Sequence, residues 1–129
     1  MVSTDLRSTQ QRRTRLQVYE IVVDCADPRA LGRFWAEVLS YVISEEDDDV
    51  SYIEDPSEAG PSMCFNKVGE PKLSKNRLHL DLNVAEHEME EEVARLIDLG
   101  ARQVNVGQSP DAFWTVLVDL EGNEFCLVC

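Results

Sequence analysis

Long apolar runs are missing from this chain of 129 residues. No stretch approaches the ~20 residues that carry a helix across a bilayer, so no membrane span is expected. Positive charge is scarce as well: 12 Lys and Arg stand against 25 Asp and Glu, a formal net charge of −13. Phosphate binding needs cationic surface, which argues against a nucleic-acid partner; anionic membranes are disfavoured for the same reason. Residues 1–15 hold four arginines (Arg7, Arg12, Arg13, Arg15) and one acid, Asp5, so the rest of the chain carries a net charge of −16. The four cysteines (Cys25, Cys64, Cys126, Cys129) form no CxxC pair. The polar start lacks the apolar centre of a secretory signal. A cytoplasmic protein with free thiols is therefore expected.

What the chain does have is the composition of an ordinary globular domain, 43% hydrophobic and 29% charged. Its length suits one domain with a core of its own. Residues 1–15, rich in Ser, Thr, Gln and Arg, are expected as a mobile tail, and residues 16–129 as the domain.

The organising stretch is NRLHLDLNV, Asn76 to Val84. His79, Asp81 and Asn83 alternate with Leu78, Leu80, Leu82 and Val84, the period of two of a strand with one face on a core. A similar strand, Leu16 to Cys25, lies about sixty residues earlier in the chain. After it, Asp27-Pro28 predicts a helix start, with Leu31, Phe34, Trp35 and Val38 buried at helical spacing up to Leu39. Strands are expected at Tyr41–Ser44, Val50–Glu54 and Ser62–Val68, with Glu45–Asp49 as a solvated acidic hairpin tip.

The second half repeats this order. Glu86 to Leu99 reads as a helix with Met89, Val93, Leu96 and Ile97 inward and Gly100 as its stop. Its glutamates favour the helix dipole, and His87 among them reads as surface. Strands follow at Arg102–Val106, Phe113–Asp119 and Glu124–Val128, the last two joined by Glu121-Gly122-Asn123. The expected fold is mixed α/β: two tandem βαβββ modules, about 16–68 and 76–129, with curled mixed sheets forming a cleft between polar faces.

The stretches IVVDCADPRALGRFWAEVLSY, KNRLHLDLNV, EVARLIDLGAR and FWTVLVDLEGNEFCLV resemble the vicinal oxygen chelate superfamily, which includes glyoxalase I, extradiol dioxygenases and bleomycin-resistance proteins. The resemblance is to its glyoxalase-like domain group and covers roughly residues 16–128. It implies a metal held by one residue each from the first, fourth, fifth and eighth strands. On that pattern Glu20 takes the first-strand position, where metal-binding members usually carry His or Gln. Cys64 takes the fourth and His79 the fifth. Cys126 stands where the eighth strand normally supplies Glu.

Carboxylate, thiolate and imidazole are all zinc ligands. Binding would nevertheless require both thiols to ionise beside Glu20, leaving a net −1 around a dication in an apolar setting. No cofactor is therefore expected, with zinc or another divalent metal as the alternative. The expected function is metal-free binding of a small molecule, with Asp24, Asp81, Trp114 and Cys126 lining the pocket. Two alternatives stay open: a metal-dependent lyase, isomerase or dioxygenase-type enzyme, and an acid–base enzyme using Glu20 and His79 as its catalytic pair. A homodimer is expected, since relatives of this kind build cavities by pairing modules between or within chains.

Overall fold

The structure is a computed structural model that describes residues 15–105 and 113–129. The expected tail, apart from Arg15, and Val106 of the expected sixth strand lie outside the described residues. Two units of the same order follow one another. The first comprises β1 (Glu20–Cys25), α1 (Pro28–Leu39), β2 (Val42–Glu46), β3 (Val50–Glu54) and β4 (Ser62–Lys67). The second comprises β5 (Leu80–Asn83), a 3-10 turn at Glu86–Glu88, α2 (Met89–Asp98), β6 (Arg102–Gln103), β7 (Trp114–Val118) and β8 (Glu124–Val128). Each forms a four-stranded mixed sheet, in the orders β1-β4-β3-β2 and β5-β8-β7-β6, and the two sheets do not close on each other. The expected tandem βαβββ architecture is present.

The start of α1 follows from Asp27 and Pro28. The Asp27 carboxylate accepts from Ala30 N at 3.1 Å, satisfying a backbone donor that the first turn leaves unpaired, and Pro28 supplies the first helical position. Leu31, Phe34, Trp35 and Val38 are buried as their spacing requires. The β2–β3 hairpin differs from expectation because of a bulge between Ile43 and Glu45. The extra residue turns Glu46 toward α1, where it meets Arg33 at 2.6 Å and Arg29 at 3.5 Å. The acidic tip thus shrinks to Asp47–Asp49, and Asp47 closes it by accepting from Asp49 N and Val50 N.

In the second unit, Leu96 is the buried anchor of α2, with Met89 and Val93 half-buried. Ile97 was expected inward but is 45% exposed; Leu99, beyond the helix, packs on the core in its place. Gly100 ends the helix at φ +118°, a conformation that a side chain would strain. Two strands start later than expected. Leu16–Tyr19 precede β1 without joining the sheet, and Arg77–His79 precede β5 in the same way.

Side chains join the units. Trp35 Nε1 donates to Asp119 Oδ2 at 3.0 Å, and its ring packs edge-on against Phe125, centroids 4.8 Å apart. Arg95 of α2 donates to Glu37 O and Val38 O at 3.1 and 3.2 Å, satisfying carbonyls at the end of α1. Glu121 accepts from Ala26 N at 2.7 Å and Asp27 N at 2.9 Å, just before α1 begins.

Candidate functional site

In each sheet one face is covered by its helix and the other carries the polar residues. In the first sheet Ile21, Val23, Met63, Phe65 and Ile53 face α1. Register places Val22 beside Cys64, Asp24 beside Asn66 and Tyr52 beside Cys64, so Glu20, Asp24, Cys64 and Tyr52 share the opposite face. Cys64 is 3% exposed. Its thiol donates to Asn66 Oδ1 at 3.5 Å. Burial pushes its pKa up, the Tyr52 hydroxyl works the other way, and the Glu20 charge adds to the rise. Tyr52, hydrogen-bonded to that sulfur, is raised in turn.

The second sheet repeats the pattern. Leu80, Leu82, Phe125 and Leu127 face the core, while Asp81 pairs in register with Cys126, and Cys126 with Val116. Asp81, Asn83, Cys126, Val116 and Trp114 therefore share the polar face. Cys126 is buried and Trp114 is 40% exposed. Burial raises the Cys126 pKa, the charge of and a hydrogen bond to Asp81 raise it further, and Lys75 partly opposes them. His79, expected within the strand, stands one residue before it and is exposed. Its Nε2 lies 2.7 Å from Lys75 Nζ and 2.9 Å from Asn76 O.

Glu20 thus has Cys64 and Tyr52 around it, whereas His79 has Lys75 and Asn76. Among the described residues no group of three or more His, Cys, Asp and Glu side chains is placed to hold a metal ion. The donor chemistry agrees. Two of the four implied ligands are buried thiols held protonated by desolvation and neighbouring carboxylates, and a third sits against an ammonium. These residues do not fit the metal that the fold family implies. A cleft of about 550 Å3 lies elsewhere, between residues 17–19 and the β3–β4 turn, with Glu54, Asp55 and Glu58 on its wall.

Several site-forming residues escape a sequence reading. Asp119 is 4% exposed and organises the β7–β8 turn and Trp35 together. An aspartate two residues before Glu-Gly was its available signal, because Asp side chains bond backbone two residues on. Lys72, Lys75 and Glu124 left no such signal, since a loop path and not a period brings them together.

A family profile described as a glyoxalase-like domain matches residues 20–128, and the chain belongs to that family. No curated protein matches it. Solved structures resemble it throughout. One is a glyoxalase/bleomycin resistance protein/dioxygenase family enzyme from Burkholderia phytofirmans PsJN, at 16% identity over 87% of this chain and 97% of that one, TM-score 0.66. A possible glyoxalase from Bacillus cereus is 14% identical over 89% of this chain and all (100%) of its own, TM-score 0.69. A genomically encoded fosfomycin resistance protein, FosX, from Listeria monocytogenes, complexed with Mn(II) and sulfate ion, is 14% identical over 90% and 91%, TM-score 0.71. At such identities the likeness establishes the vicinal oxygen chelate fold and nothing finer.

Proposed function

We propose that the chain is a small-molecule-binding protein of the glyoxalase-like family that works without a metal at Glu20, Cys64, His79 and Cys126. One observation carries this reading: the fourth- and eighth-strand positions hold buried thiols whose pKa values are raised, so both offer neutral hydrogen-bonding groups at neutral pH. In this reading Glu20, Asp24, His79, Asp81, Trp114 and Cys126 face the ligand. The protein pairs as a homodimer, which would cover the open polar faces. Four free cysteines suit a reducing cytoplasm. Among the described residues no helix is long and apolar enough to cross a membrane.

Elemental analysis of protein purified without added metal tests the reading, with native mass spectrometry of the same sample for a retained ligand. Zinc well below one per chain is expected. His79→Ala should alter ligand binding with little loss of stability, because the ring is exposed. Stoichiometric zinc, with unfolding on chelation, would overturn the proposal.

A further inference from the structure

Residues 17–19 precede β1 without joining its sheet, and together with the β3–β4 turn they flank the cleft of about 550 Å3. Asp55 builds the wall opposite them. It accepts from Ser57 N at 2.8 Å, Ser57 Oγ at 2.7 Å and Gly60 N at 2.9 Å, and the Tyr41 hydroxyl fixes the end of the turn by donating to Pro61 O at 3.0 Å. With Asp55 spent on the turn, Glu54 and Glu58 are the exposed carboxylates of this wall, beside Pro56, Ala59 and Pro61. The described residues lining the cleft include no Lys or Arg.

Such a wall suits a cation, and the chain carries its own. Arg12, Arg13 and Arg15 stand five, four and two residues before Gln17, which itself lines the cleft. An extended residue spans ~3.3–3.6 Å, so all three lie within about 18 Å of Gln17 along the backbone. A tether that short holds the arginines at a roughly millimolar effective concentration, enough for contacts too weak to form between separate molecules. Guanidinium groups also match carboxylates in shape as well as in charge. The outer face of α2 is acidic too, but it belongs to the second module, away from the start of β1, and its Glu92 is already paired with Arg95.

We infer that residues 12–15 of the same chain dock in this cleft, with their guanidinium groups on Glu54 and Glu58. Val18 and Tyr19, 72% and 87% exposed, supply apolar surface beside them. Ser62, which lines the cleft, is the register partner of Glu20. The docked segment therefore stands at the Glu20 end of the first sheet's polar face.

The test is trypsin cleavage of the full chain, with a synthetic peptide of residues 1–19 as the unprotected reference and mass spectrometry reading the cuts after Arg12 and Arg13. At low salt the full chain should be cut there about fivefold more slowly than the peptide, and the ratio should approach one in about 0.5 M salt, which screens exposed charge. Glu54→Gln/Glu58→Gln should remove most of the protection, whereas Glu86→Gln/Glu88→Gln in the second module should leave it intact. All four side chains are exposed, and circular dichroism checks that each variant keeps its fold. Equal cutting of chain and peptide overturns the docking. Protection that survives Glu54→Gln/Glu58→Gln also overturns it, since shielding by the folded body or a seat elsewhere would then be the cause. Protection that fades on dilution overturns it as well, by placing the arginines on a second copy.

Discussion

Both carboxylate oxygens of Asp119 are occupied. Oδ1 accepts from Glu121 N and Asn123 N at 2.9 and 3.0 Å; Oδ2 accepts from Asn123 Nδ2 and Trp35 Nε1 at 3.0 Å. Asp119→Ala strands four donors, Trp35 Nε1 buried and the other three half-buried, and should cost about 2–4 kcal/mol in urea unfolding. A loss below roughly 0.5 kcal/mol would mean that water replaces the carboxylate freely. Gly32 is tied to Ser51 in a different way. A Cβ on Gly32 would fall on Ser51 Oγ and within 2.9 Å of Ser51 Cβ, so Gly32→Ala should destabilise by about 1–3 kcal/mol. Ser51 Oγ is fully buried and has no hydrogen-bond partner among the described residues, so Ser51→Ala should be neutral or stabilising. Cys25 sets an alkaline limit. Burial first, then Glu121, Asp27, Asp24 and Asp119, push its thiol from 9.0 up to about 12. Below the unfolded value the thiol is protonated in both states and the contribution of its burial is whole. Above it the unfolded chain sheds a proton that the folded chain retains, so stability falls by up to ~1.4 kcal/mol per pH unit until the folded value is passed. Denaturation midpoints measured from pH 8 upward should show this decline, and Cys25→Ala should lessen it, leaving the part that the raised thiols of Cys64 and Cys126 contribute.

At the scale of elements, the parts legible in the sequence are those fixed by local chemistry. Asp27-Pro28, the Leu31–Val38 spacing and Gly100 mark helix ends and faces through capping, periodicity and backbone freedom, and all three hold. Val50–Glu54 and Glu124–Val128 were readable to the residue because turns bound them closely. The failures share a cause. Leu16–Tyr19 and Arg77–His79 alternate like strands, yet among the described residues no neighbouring strand supplies their ladder, and alternation alone cannot reveal that. His79 was therefore identifiable as a polar residue beside β5, but its partner Lys75 was not, because three residues of irregular loop separate them. Arg95 illustrates the same limit across elements, since a surface-spaced arginine turns out to hold the carbonyls at the end of α1. Arg95→Met keeps much of its aliphatic packing but removes those bonds, and should cost about 1–2 kcal/mol. An unchanged midpoint would make the link between the helices incidental.

For the whole molecule, apolar side chains stay uncovered on and beside the open sheets: Val22 of β1 is 53% exposed, Phe113 just before β7 75% and Tyr19 just before β1 87%. The proposed homodimer follows from covering them, against the repulsion of a chain carrying −13. Light scattering at micromolar concentration should give twice the chain mass, more completely as salt screens the charge; a monomer at every ionic strength would sink the pairing. Sheet connectivity bears on how the chain reaches this form. Every strand of each sheet comes from its own module, so neither sheet waits for the other to form. Trp35 is different: it lies in the first module, while Asp119 and Phe125, its partners, lie in the second. Its indole is thus a clock for docking and not for sheet formation. In refolding of a Trp114→Phe chain, backbone circular dichroism should recover in an earlier phase than Trp35 fluorescence. One shared phase at all denaturant concentrations would show instead that the halves condense together.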